Sequence, residues 1–204
     1  MSGDWLRVQR AELATERILD AARALFIDGG VATVGMADIA QAVGCSRATL
    51  YRYYPDRHAL HIAYANREAR LLVERIGREH AKHDHGDPAD RLLDELMAVL
   101  REVRRTPHLA TWFEPANLGI VAELVRSAEV IGALATGFAA RLGNGQTARA
   151  VHRLGQWTVR ILVSLLVWPE ADEQTELAML RDHLLPLLVS TASNGADRSP
   201  NAKY

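Results

Sequence analysis

The chain has 204 residues, 49% hydrophobic and 24% charged, with a net charge of −1; that excludes wholesale disorder and gives enough length to bury a core in one medium or two small domains. The single cysteine, Cys45, excludes a disulfide framework or an all-cysteine metal site, and no apolar run reaches the roughly 18 residues of a membrane helix, the best (157–168) being cut by Arg160 and Ser164. The opening MSGDWLRVQR has no apolar stretch, so no signal peptide is expected and the expected compartment is a reducing cytoplasm.

No alternating strand pattern persists anywhere, and apolar residues recur at three- and four-residue spacing, which predicts an all-α protein. A first helix is expected over 12–28, with Ile18, Ala22, Leu25 and Phe26 buried and Gly29-Gly30 ending it. Two short helices follow, over 36–43 and 46–53, joined by Gly44-Cys45, with Ser46 as the N-cap of the second. Pro55 stops that helix and Asp56 caps a long one over 57–80. HAKHDHGDP is a polar connection, and a helix over 88–105 carries Leu92, Leu93, Leu96, Met97 and Leu100 on one face. Pro107 and Pro115 bracket the aromatic segment HLATWFE, and a helical stretch over 117–142 breaks near Ser127. Helices over 147–167 and 175–189 complete the chain, and the apolar-poor residues 191–204 are expected to be a disordered tail.

Residues 35–54, GMADIAQAVGCSRATLYRYY, carry the functional signal. Two short helices across a glycine turn form a helix-turn-helix pattern. Ile39, Ala40 and Val43 supply the buried face of the first helix, Gly44 the turn with positive φ, and Leu50 the anchor of the second. Arg47, Ala48, Thr49, Tyr51 and Arg52 are left facing outward. Such a face suits a major groove: arginine pairs with guanine, a threonine methyl touches thymine, tyrosine hydroxyls reach phosphates. Tyr51, Tyr53 and Tyr54 within four residues are wasteful on a plain surface, and Arg57 opens the next helix where the macrodipole disfavours a cation, which a phosphate would explain.

On these residues, ERILDAARALFIDGG and MADIAQAVGCSRATLYRYYPDRHAL, the chain resembles the TetR (tetracycline-repressor-like) family over roughly 12–70. The resemblance implies an all-α homodimer with an N-terminal three-helix DNA-binding domain, over 11–71 here, and a C-terminal helical domain over 72–190 that binds a small effector and holds the dimer. It implies that the recognition helix lies over 46–53, so that Ser46, Arg47, Ala48, Thr49, Tyr51, Arg52 and Tyr53 face DNA. It further implies that Tyr51 and Arg57 meet backbone phosphate. Gly35 departs from the pattern, holding a position the family often fills with Ser or Thr.

Met97, His108, Trp112, Phe113, Phe138 and Trp157 are large groups from several helices and are the expected lining of an apolar effector pocket. The last two helices carry more apolar positions than one face buries, so Ile161, Leu162, Leu165, Leu177, Leu180 and Leu184 are expected at a two-fold dimer interface. Gly143, Gly145 and Ala148 spell a dinucleotide fingerprint without its strand context and read as a turn; His80, His83 and His85 lack a fourth ligand and read as linker; Cys45 reads as a small buried filler. No catalytic motif, metal site or cofactor site is expected. The expected function is a ligand-responsive DNA-binding regulator, a repressor released from a palindromic operator by a small hydrophobic effector. The alternatives are a helical protein-interaction module and a small helical enzyme.

Overall fold

The computed structural model describes residues 4–80, 87–127 and 148–188, and within them every regular element is helical. The helices are α1 (Asp4–Gly29), α2 (Met36–Val43), α3 (Arg47–Tyr53), α4 (Arg57–His80), α5 (Pro88–Arg105), α6 (Pro107–Ala110), α7 (Leu118–Ser127), α8 (Ala148–Val167) and α9 (Glu173–Met179). Phe138, the Gly143–Gly145 turn, His83 and His85, and the expected tail lie outside the described residues.

The chain divides into two compact units, one of residues 1–68 with 105–127 and one of 69–104 with 128–204. This redraws the expected boundary: the segment 105–127, assigned by sequence to the C-terminal domain, belongs with the N-terminal unit. Its aromatic side chain is the physical reason. Trp112, 5% exposed, stacks on Tyr64 of α4 at 5.4 Å and 15° and meets Phe26 of α1 edge-on at 5.4 Å.

In the first unit α1 starts eight residues before the expected Glu12. Its first turns carry Trp5 and Leu13 exposed, so they show no apolar stripe for a sequence pattern to detect. Further on, Ile18, Leu19, Ala22 and Phe26 are buried, and Gly30 (φ +82°) ends the helix, its N–H donating to the Phe26 carbonyl at 3.1 Å. The short α2 and α3 close over this helix with Met36, Ile39, Ala40 and Leu50, and α4 adds Leu60, His61 and Tyr64. After Trp112 the chain turns through Pro115–Asn117, where buried Asn117 donates Nδ2–H to the Thr111 carbonyl at 2.6 Å.

The second unit is a leucine core. Leu92, Leu93, Leu96, Met97 and Leu100 of α5 pack with Leu154 and Leu165 of α8 and with Leu180, Leu184 and Leu188. Asp172 caps α9 by accepting the Thr175 N–H at 2.8 Å, and a π-helical stretch, Leu180–Leu184, continues it. A four-residue step overshoots an ideal α-helical turn by about 40°. The wider π turn offsets that drift, keeping Leu180, Leu184 and Leu188 all buried. Arg104 holds Glu176 in a two-pronged pair at 2.5 and 2.8 Å and also donates to the Leu165 carbonyl at 3.0 Å.

Candidate nucleic-acid interface

The turn between α2 and α3 is built from local chemistry. Gly44 adopts φ +75°, ψ +34°, where an L side chain is strained. Its N–H donates to the Gln41 carbonyl at 3.1 Å and the Cys45 N–H to the Ala40 carbonyl at 3.0 Å, a Schellman ending that closes α2. Cys45 is half-buried, as is Val43, so neither is the fully enclosed residue expected. At the other end of α2, Gly35 is the N-cap and has no side chain to give. The Asp38 carboxylate reaches back instead, accepting the Gly35 N–H at 2.8 Å.

Ser46 caps α3 as expected, its Oγ accepting the Thr49 N–H at 3.1 Å and lying 2.9 Å from Thr49 Oγ1. Leu50 has no exposed surface, and its burial fixes the rotation of the helix. Arg47, Ala48, Tyr51 and Arg52 are then exposed, and Thr49 and Tyr53 half-buried. The outward face expected for this helix is therefore present as one surface.

Two residues turn out differently. Tyr54 lies inward at 6% exposure, because the chain leaves α3 in an extended conformation (φ −133°, ψ 107°) that swings it under the helix. Burial pushes its hydroxyl up to about 12. Arg57 is half-buried, and its Nη1 donates to the carbonyls of Ala32 and Val34 at 3.0 and 3.4 Å. A cation at the start of α4 thus finds a local explanation: it braces the loop leading into α2. Asp56 supplies the favourable N-terminal charge and cap, accepting the Ala59 N–H at 2.7 Å.

The same unit holds an ionic cluster that sequence reasoning missed. Glu68, buried, accepts from Arg23 of α1 at 2.7 Å and from Arg67 at 3.1 Å, while its other oxygen is 3.1 Å from His108 Nε2 of α6. Arg67 also reaches Glu16 and Asp20 of α1 at 3.0 and 2.9 Å. Burial alone would raise the Glu68 carboxyl; Arg23, with Arg67 and His108, outweighs it and holds the group below the usual carboxylate range. His61, packed among Phe26 and Trp112, is lowered to about 4 by burial and by the charges of Arg57 and His58, so it is neutral near pH 7. The available signal was the i, i+3, i+7 run His61, Tyr64, Glu68, an aromatic and polar stripe on one helix face.

The residues expected to line an effector pocket do not share a unit. His108, Trp112 and Phe113 belong to the first, and Met97 and Trp157 to the second. Met97 is a core residue at 3% exposure, and Trp157, at 47%, faces outward rather than into the bundle. The expected dimer residues also divide. Leu165, Leu180 and Leu184 are buried in the chain's own core; Ile161, Leu162 and Leu177 pack on it half-covered. A leucine within reach of its own helices' core is consumed there. The apolar surface left over on the last helices is Trp157, Trp168, Met179 and Leu187, all exposed.

Among the described residues no helix is long and apolar enough to cross a membrane, and no group of three or more His, Cys, Asp or Glu side chains could hold a metal ion.

The family model described as bacterial regulatory proteins, tetR family, matches residues 18–64, which contain α2, the Gly44 turn and α3. An HTH-type transcriptional regulator of Mycobacterium tuberculosis (strain H37Rv) is 45% identical over 196 residues, spanning 96% of this chain and 95% of that protein. The HTH-type transcriptional repressor KstR of Mycolicibacterium smegmatis is 27% identical over 188 residues, 86% of this chain and 87% of its own. Among solved structures, RolR in complex with resorcinol has the same fold, with a TM-score of 0.63 at 18% identity over 96% of this chain and all of its own. With a helix-turn-helix that exposes a basic face and a relative this close along nearly its whole length, the chain belongs to the TetR family of helix-turn-helix transcriptional regulators.

Proposed function

We propose that the protein is a homodimeric repressor that reads a palindromic operator with α3 and releases it when a small apolar or aromatic effector binds. One observation carries the reading: Leu50 is completely buried while Arg47, Ala48, Tyr51 and Arg52 of the same two turns are exposed. An α-helix anchored on one side and basic on the other is the shape a major groove accepts. The repressor assignment is supported by the relationship to KstR. The effector class is supported by the resorcinol that the same fold accommodates in RolR.

For the dimer, the exposed Trp157, Trp168, Met179 and Leu187 provide the apolar surface a two-fold partner would cover. Two recognition helices then read half-sites about 34–36 Å apart or a multiple of it. The helix α4 contributes residues to both units, and we assign it the mechanical link between effector and operator. We place the effector at the second unit and the protein in the cytoplasm.

The test is binding of the full-length protein to a duplex selected from a random library, followed by anisotropy at several salt concentrations. A steep salt dependence with a preference for the selected duplex is expected. Arg47→Ala should cost about 1–3 kcal/mol at one base-pair position and relax specificity there. Equal weakening on selected and random DNA would remove Arg47 from base reading, and absence of any sequence preference would overturn the repressor.

A further inference from the structure

A threonine on a recognition helix can serve DNA in two ways. Its hydroxyl can meet a phosphate or a base edge, or its methyl can meet the C5 methyl of thymine. Which group is offered depends on what already holds the hydroxyl. Here Thr49 Oγ1 lies 2.9 Å from Ser46 Oγ, and that same Ser46 oxygen accepts the Thr49 backbone N–H at 3.1 Å. The two hydroxyls are therefore locked together by the N-cap of the helix, one turn from each other on the face that carries exposed Arg47 and Ala48.

Either oxygen can be the donor of this pair, and which one donates decides the outcome. Ser46 Oγ has two lone pairs and can accept both the Thr49 N–H and the Thr49 O–H. In that arrangement the Ser46 proton is left free to donate. Thr49 then has no proton for a phosphate oxygen, which only accepts; its oxygen can still accept, and its γ2 methyl is free to meet an apolar group. We propose that Thr49 donates its hydroxyl proton to Ser46 and is a specificity-determining residue that recognises one thymine per half-site through its methyl group. This rests on α3 being the helix that reads the operator.

The experiment uses the full-length protein and a duplex that the wild type selects from a random library. Each thymine of one half-site is replaced in turn by deoxyuridine, which lacks only the C5 methyl. Wild type, Thr49→Ser and Thr49→Val are compared, Ser keeping the hydroxyl pair and losing the methyl, Val keeping the methyl and losing the hydroxyl. One thymine position should weaken wild-type binding about fourfold when demethylated, the worth of one buried methyl. Thr49→Ser should weaken binding to the unmodified duplex by about the same factor and be indifferent to deoxyuridine at that position. Thr49→Val should match the wild type on both duplexes. Retained affinity and deoxyuridine sensitivity in Thr49→Ser would overturn the methyl contact, and so would loss of binding confined to Thr49→Val, which would assign the work to the hydroxyl. Either result leaves the helix as the DNA reader, whereas failure of the wild type to enrich any sequence would overturn that reading and this one together.

Discussion

Among the described residues each unit encloses one carboxylate at 5% exposure or less, and the two are satisfied in different ways. Glu68 in the first unit is shared among Arg23, Arg67 and His108, which come from α1, α4 and α6. Glu176 in the second is held by Arg104, with the Glu170 N–H a longer contact at 3.3 Å. The surroundings differ to match. The first unit packs Phe26, His61, Tyr64 and Trp112 ring against ring, and the second packs leucines. A hub of two arginines and a histidine tolerates the loss of one; a single cation is not replaceable, because the carboxylate it leaves behind is buried and uncompensated.

Replacing the cations therefore tests the contrast most strongly. Arg104→Met should destabilise the protein by about 3 kcal/mol, the low end for a broken buried pair because Arg104 is one-third exposed. Arg67→Met should cost less, since Arg23 and His108 remain on Glu68 and the released Glu16 and Asp20 are exposed. Urea midpoints of the two variants check the order, and a larger loss for Arg67→Met would contradict the redundancy of the hub.

The aromatic cluster gives the first unit a pH response that leucines cannot. The His61 imidazole sits at about 4 in the fold against about 6.5 in an unfolded chain. The unfolded state thus binds the extra proton between those values. The contribution of keeping His61 neutral is fully present above about pH 6.5 and is lost as pH falls toward 4, by about 3 kcal/mol over the window. His61→Phe should flatten the stability profile over that range, because the ring stays and the titrating nitrogen goes. An unchanged profile would mean another group governs it. Glu68 acts in the same direction at lower pH: its depressed carboxyl contributes above the usual carboxylate pKa, and that contribution is lost as acid protonates it.

Arg57 sharpens the comparison at the DNA surface. If its role is to brace the loop, Arg57→Ala should cost about 1.5–3 kcal/mol of stability for the lost charged hydrogen bonds and weaken operator binding without changing the salt slope. A slope flattened by about one would instead return it to the phosphate contact that its sequence position suggested. The smallest effect belongs to Gly35. Its φ of −100° suits any residue, and an added Cβ would meet only Asp38 Oδ2, at 3.4 Å. Gly35→Ser should stabilise by a few tenths of a kcal/mol in thermal melts by completing the cap.

What could be read from the sequence divides by range. The Gly44 turn and the Ser46 cap involve partners within five residues, and both are where the residue types put them; Leu50, the apolar residue of α3 expected to anchor it, is buried. The bounds of α2, α4 and α5 follow from glycine, proline and cap residues in the same way. Glu68 depends on Arg23, 45 positions away, and on His108, 40 positions away, and no local pattern announces such a meeting. Trp112 looked like a pocket residue because it is large and flanked by prolines, yet Phe26 and Tyr64 had already made an aromatic seat for it. Leu165, Leu180 and Leu184 were assigned to a partner by counting apolar positions around a helix, and that count cannot tell which of them the chain's own neighbours will claim.

The burial of Trp112 has an optical consequence. Of the four tryptophans, Trp5, Trp157 and Trp168 are 58%, 47% and 69% exposed, whereas Trp112 is 5% exposed and stacked on Tyr64. In the single chain three indoles are open to a dissolved quencher such as acrylamide and one is sheltered; a two-fold partner over Trp157 and Trp168 would leave Trp5 as the open one. Trp112 is therefore the ring that stays sheltered with or without a partner, seated against α1 and α4 of the first unit. It gives that half of the molecule its own unlabelled signal, one that tracks whether the ring remains seated while the rest of the chain is titrated, heated or bound.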